Sequence, residues 1–169
     1  FLKNFNQIVC SKIKFVSSFA KSNVATLYGA IRLAGSAEIE LKYATLKDNR
    51  AYDGAAVYAT DNTKVTVLSS TLESNIALED AGAIYVGDAS ILRVDNTIVT
   101  KNRALRGRGG GLSRRDGART TISRSTFSSN IADKTGGAIQ QNQLMCRDNI
   151  QCSLLFDDIK SIEEYSSCL

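Results

Sequence analysis

Asparagine recurs along this chain at a nearly fixed interval, and that interval constrains the fold more than any other feature. Asn23, Asn49, Asn75, Asn102 and Asn130 are separated by 26, 26, 27 and 28 residues. Their surroundings recur in step. Alanine follows two positions later in every copy, as Ala25, Ala51, Ala77, Ala104 and Ala132. Three positions earlier stand Ala20, Leu46, Leu72, Val99 and Phe127, and eight earlier Phe15, Leu41, Val67, Val94 and Ile122. A second column runs through Gly29, Ala55, Gly82, Gly110 and Gly137, and two positions on come Ile31, Val57, Ile84, Leu112 and Ile139. Self-similarity at such a period marks a solenoid, in which each repeat buries its apolar face only against its neighbours.

The spacing inside one copy selects the kind of solenoid. Apolar or small residues step by two from Ile39 to Leu41, by three to Ala44, by two to Leu46, by three to Asn49 and by two to Ala51. Steps of two are a strand showing one face inward, and steps of three are corners where the phase resets. No stretch keeps the 3.6-residue period of an amphipathic helix, which excludes the helical solenoids of similar repeat length. The expectation is an all-β, right-handed parallel β-helix of five to six turns, about 27 residues each, with three short strands per turn. At ~4.8 Å per turn, five turns make a rod only about 24 Å long. The asparagine column reads as an interior hydrogen-bonded ladder in which each asparagine takes the left-handed bend of a corner.

The repeat also divides the chain. Residues 13–140 hold five turns, and 1–12 end a preceding turn or cap the rod, since Phe5 stands 26 residues before Ile31. Residues 141–160 read as a degenerate sixth turn: Asp158 falls 28 after Asn130, with Leu155, Ser153 and Ile150 at the flanking offsets. Residues 161–169 read as a C-terminal cap or exit segment. The opening Phe-Leu-Lys-Asn has no initiator Met and no secretory leader pattern, so the chain reads as a piece of a longer protein.

Composition narrows function. Histidine is absent, which removes the usual general base near neutral pH and the commonest metal ligand. Ser-His-Asp and Cys-His catalysis and most zinc chemistry go with it, and no cofactor or metal is expected. The formal charge of +4 is mild. No run of 18 apolar residues exists, so no transmembrane helix is expected.

Two motifs carry a resemblance. Phe-x-x-Asn and Gly-Gly-Ala-Ile are met in full in the last copy, as Phe127-Ser-Ser-Asn130 and Gly136-Gly137-Ala138-Ile139. They resemble the repeats of polymorphic outer-membrane proteins and related pectin-lyase-like β-helices of adhesins and surface proteins, over roughly residues 13–140. The resemblance implies a surface-exposed or secreted rod used for adhesion or assembly, with other subunits or further β-helix turns as partners. It does not imply catalysis.

Three groups of residues are candidates for more than structure. A carbohydrate-active β-helix needs outward carboxylates on neighbouring turns beside a cation. Asp53, Asp80 and Asp133, or Asp61, Asp88 and Asp116, could supply them, although aspartate is also a common corner residue. Arg103, Arg106, Arg108, Arg114, Arg115 and Arg119 crowd into 17 residues and form a candidate anion or partner site, with an acidic glycan among its ligands. Their Arg-Gly-Arg-Gly-Gly-Gly core has no interleaved aromatic residue, so nucleic acid is not expected. Cys146, Cys152 and Cys168 cluster at the end and are disulfide candidates, which favours an oxidising, extracellular setting; Cys10 lies apart. Tyr58 and Tyr85 share a column with Arg32, Ser113 and Gln140. The leading expectation is a non-catalytic structural or adhesive segment, and the alternative is a β-helix that binds or cleaves an acidic polysaccharide.

Overall fold

A computed structural model describes residues 12–141 together with the strands Phe5–Val9, Leu154–Asp157, Ser161–Ile162 and Tyr165–Ser166. Cys10, Cys146, Cys152, Cys168, Ile150, Ser153 and Asp158 lie outside the described residues. The chain winds into a solenoid in which every strand pairs in parallel with the strand one turn away. Four sheets run along it. Sheet A holds Ile31–Ala34, Val57–Ala59, Ile84–Val86, Leu112–Arg114 and Ile139–Gln141, with Phe5–Val9 at its start. Sheet B runs from Lys12–Val16 through Glu38–Lys42, Lys64–Leu68, Ile91–Asp95 and Arg119–Ser123 to Leu154–Asp157. Sheet C runs from Phe19–Lys21 through Thr45–Lys47, Thr71–Glu73, Ile98–Thr100 and Thr126–Ser128 to Ser161–Ile162. Sheet D stacks the two-residue strands Arg50–Ala51, Ile76–Ala77, Arg103–Ala104, Ile131–Ala132 and Tyr165–Ser166.

Four strands per turn replace the three expected, because the two residues after each asparagine pair as a strand of their own. Inside, the repeated apolar columns meet. Ile39, Val65 and Leu92 lie in register on sheet B, Leu46, Leu72, Val99 and Phe127 on sheet C, and Val57, Ile84 and Leu112 on sheet A. All of these are at most 2% exposed. Sequence period and observed interior therefore agree column by column through the middle turns.

The corners work differently from the expectation. The left-handed residue is not the asparagine but the one before it: Ser22, Asp48, Ser74, Lys101 and Ser129 all have φ between 53° and 56°. That bend turns the next side chain inward. Asparagine is needed for its amide, not for its backbone freedom. At the corner between sheets A and B, pairs of left-handed residues (Asp61-Asn62, Asp88-Ala89, Asp116-Gly117) make tight reversals, which accounts for the second aspartate series as turn residues.

The first and last turns show where the period holds and where it slips. Phe5 pairs with Ile31, as its spacing predicts. At the other end Ile122 pairs with Phe156, not with Ile150, and Phe127 pairs with Ile162. The step into the sixth turn is thus longer than the 28 residues extrapolated from Asn130, and Ser161–Ile162 and Tyr165–Ser166 add strands to sheets C and D.

Candidate functional site

The asparagines are joined from turn to turn. Oδ1 of Asn49 accepts the backbone N–H of Asn23 at 3.1 Å and its side-chain amide at 2.8 Å, and the same pair of bonds recurs from Asn49 to Asn75, Asn75 to Asn102 and Asn102 to Asn130. The second amide hydrogen of Asn49, Asn75, Asn102 and Asn130 goes to the carbonyl of Ala20, Leu46, Leu72 and Val99. These four asparagines are fully buried. A buried amide is costly unless its donors and acceptor are matched, and here they are. The column is structural.

The outer face of sheet A is the most site-like surface. The Tyr58 and Tyr85 rings stack with centroids 4.7 Å apart and 12° between planes. Tyr28, from the loop before sheet A, adds a third ring 4.1 Å from Tyr58, and the Arg32 guanidinium caps it 4.4 Å from the ring centre. Tyr58 thus stands between two rings, which cover both of its π-faces. Burial between neighbours raises both phenols, Tyr85 to about 12.

Beside this stack stand Asp53 and Asp80, on adjacent turns as a carbohydrate-active site would require. Three of their four oxygens are committed elsewhere. Oδ1 of Asp53 accepts the N–H of Asp80 at 2.8 Å, and Oδ1 of Asp80 accepts the N–H of Arg108 at 2.7 Å. Oδ2 of Asp80 is ion-paired with Arg115. Desolvation raises Asp53 above the ordinary aspartate value, with Asp80 adding repulsion and Arg115 opposing it. Asp133 does not join them: its N–H bonds Ala104, the place Leu105 holds toward Ala77 one turn below, so it sits one column away. Asp61, Asp88 and Asp116 do neighbour one another, since Asp116 and Asp61 both help raise Asp88, behind a larger effect of burial. Among the described residues no group of three acids is arranged to hold a metal ion.

The six arginines divide into separate environments. Arg103 is exposed on sheet D, Arg106 is exposed and Arg108 half-buried in the loop leading from sheet D to sheet A, and Arg119 is exposed at the start of sheet B. Arg115 reaches across to Asp80. Arg114 points into the rod and is 3% exposed. Only Arg103, Arg106 and Arg108 share one flank, and none of the three is in an ion pair with a described residue. On that flank the outward column of sheet D reads Val24, Arg50, Ile76, Arg103, Ile131. Val24 is 74% exposed and Ile131 48%, with Leu27 and Leu105 exposed nearby in sequence on the same loops. Arginine alternating with aliphatic side chains is a composition typical of protein interfaces.

Residues 9–149 match the family model for the right-handed β-helix region. The chain belongs to that family. No curated protein and no solved structure matches it. Family membership settles the handedness and the solenoid; the family includes enzymes and non-enzymes, so function has to be argued from the sites.

In this β-helix, spacing alone located Tyr58 and Tyr85 but missed Tyr28, which lies in a loop outside the strand column. It also missed the Asp80–Arg115 pair, whose members are 35 residues apart and a full turn out of column. A signal for Arg114 was present. Arg114 falls in register with Val86 and Ala59, an interior column, and strand parity separates it from its charged neighbours.

Proposed function

We propose that this β-helix is a non-catalytic, extracellular structural or adhesive segment that works by contact, and that its contact surface is the flank of sheet D and the loop that follows. The observation that carries this is the outward column Val24, Arg50, Ile76, Arg103, Ile131, extended by Arg106 and Arg108. Its cations are unpaired among the described residues while the nearby carboxylate of Asp80 is tied internally. Free guanidinium groups beside exposed aliphatic side chains suit an acidic protein surface that also offers apolar area. Titration with poly-L-glutamate tests the charge requirement. Binding should weaken with salt and be lost in the Arg103→Ser, Arg106→Ser, Arg108→Ser triple variant, with Ile131→Ser weakening it without changing the salt slope. Equal binding by wild type and triple variant would contradict the assignment.

The second reading is binding or cleavage of an acidic polysaccharide at the Asp53–Tyr58–Tyr85 face. What favours it is Asp53, half-buried and raised, with one oxygen outside the hydrogen bond to Asp80. Polygalacturonate binding that survives the triple arginine variant but is lost in Asp53→Asn would move the site to sheet A.

A further inference from the structure

Beside the arginine-bearing column of sheet D runs a second outward column, and it is apolar. Tyr52, Leu78 and Leu105 each follow the inward alanine of a sheet D strand. Bonds from the Leu78 N–H to the Ala51 carbonyl and from the Leu105 N–H to the Ala77 carbonyl stack them turn on turn. Leu27 joins them from the first turn: the bridge between Tyr28 and Asp53, with the Asp53 N–H bonded to the Leu27 carbonyl, sets Leu27 against Tyr52. Asp133 ends the column on the fifth turn, where its N–H bonds the Ala104 carbonyl. Leu27 is 58% exposed, Tyr52 42% and Leu105 38%, with Leu78 half-buried between them. In the adjoining column Arg50 and Arg103 are exposed, and neither is in an ion pair with a described residue.

The spacing of this stripe selects what can lie on it. Turns rise by about 4.8 Å, so Leu27 to Leu105 spans about 14 Å along the rod. The apolar residues of an amphipathic helix recur on average every ~3.5 residues, which is about 16 Å over the same number of steps. Centred on the stripe, such a helix is out of register by less than about 1 Å at either end. An extended strand repeats one face every ~6.8 Å and misses by about 3 Å at each end. Arg50 and Arg103 stand two turns apart, about 9.6 Å, close to the ~10.5 Å between residues i and i+7 of a helix. A second copy of this chain brings two more cations and a single acid, Asp133, to the same two columns, so it cannot answer the arginines.

We infer, building on the contact role proposed for this flank, that it takes an acidic amphipathic α-helix laid along the rod. The apolar side chains of that helix cover Leu27, Tyr52, Leu78 and Leu105, and carboxylates at i and i+7 meet Arg50 and Arg103.

The probe is a labelled peptide of about 18 residues, about 27 Å long as a helix, stapled into that form. It carries leucine along one stripe and glutamate at i and i+7 beside it. Fluorescence anisotropy against the whole chain compares it with a stapled scramble of the same composition and with an extended alternating Leu-Glu peptide. The patterned helix should bind at least about tenfold tighter than either. Leu105→Ser and Tyr52→Ser, each at an exposed position and checked by circular dichroism, should each weaken that preference. The Arg50→Ser, Arg103→Ser double variant should weaken binding and flatten its salt dependence. Equal binding of patterned and scrambled helices, or tighter binding of the extended peptide, overturns the helix. A concentration-dependent dimer in sedimentation, lost in Leu105→Ser, overturns it as well and gives the face to a second copy. Poly-L-glutamate binding that depends on the arginines, without preference among the peptides, removes the helix and leaves the contact role standing; loss of both removes both.

Discussion

Asn75 donates twice to Oδ1 of Asn102, from its backbone N–H at 2.9 Å and from its side-chain amide at 2.9 Å. Asn102 in turn gives one amide hydrogen to the carbonyl of Leu72 and the other to Asn130. Asn49, Asn75 and Asn102 are therefore each a joint between three turns, buried away from any replacement water.

Asn102→Ala removes that joint. Two donors of Asn75 and the Leu72 carbonyl lose their partner in a buried setting, where each unmet group costs about 1–3 kcal/mol. The expected loss is roughly 2–5 kcal/mol in a urea titration. Arg106→Ala, at an exposed residue without an ion pair among those described, should stay within about 0.5 kcal/mol of wild type.

Leu72→Asp and Ile84→Asp should each unfold the neighbouring turns, because both side chains are fully buried and in register with apolar residues above and below. An unpaired carboxylate there has nothing to bond to. Circular dichroism and limited proteolysis of the two variants measure this. A native-like melt for Ile84→Asp would mean that the inward face of sheet A is misassigned.

The legible part of this fold is the part the core dictates. Leu46, Leu72, Val99 and Phe127 recur because each must fill the same interior slot, and a repeated slot leaves a repeated residue type in the sequence. Asn49 and Asn75 recur because only an amide can accept twice and donate twice at that corner. What spacing could not show depends on side chains that cross columns. Arg115 reaches Asp80 over more than a turn, Tyr28 joins a stack from a loop, and the last turn takes a longer step than its predecessors. Charge density groups Arg114 with Arg115, yet strand alternation sends one inward and the other outward. Local charge counting and strand parity disagree there, and parity decides the environment.

Asp53→Asn should uncouple one source of pH dependence. Burial raises Asp53 in the folded state, so the folded form favours the protonated carboxyl. Its contribution is intact below the ordinary aspartate value and is lost as pH rises through the folded value. Asparagine keeps the acceptor for the Asp80 N–H without the charge. The two proteins should therefore melt together in acid, with the variant gaining on wild type as pH rises above about 4. A gap that widens toward acid instead would contradict the direction assigned to Asp53.

Asp80→Asn should cost about 1–3 kcal/mol, because it weakens the pair with Arg115 while leaving an acceptor for the Arg108 N–H. Asp80 is largely buried, so added salt should not erase the difference between wild type and variant as it would for an exposed pair. Urea titrations at low and high salt measure both points.

The central claim is that the carboxylates of this rod hold turns together and its arginine flank makes contact, with no reaction centre. The most direct measurement is to incubate the purified chain with polygalacturonate and follow polymer length and new reducing or unsaturated ends over time. The expected result is an unchanged length distribution at every time point. Progressive shortening of the polymer, abolished by Asp53→Asn or Asp80→Asn in a protein that still folds, would contradict the claim and make the tyrosine face of sheet A a catalytic site.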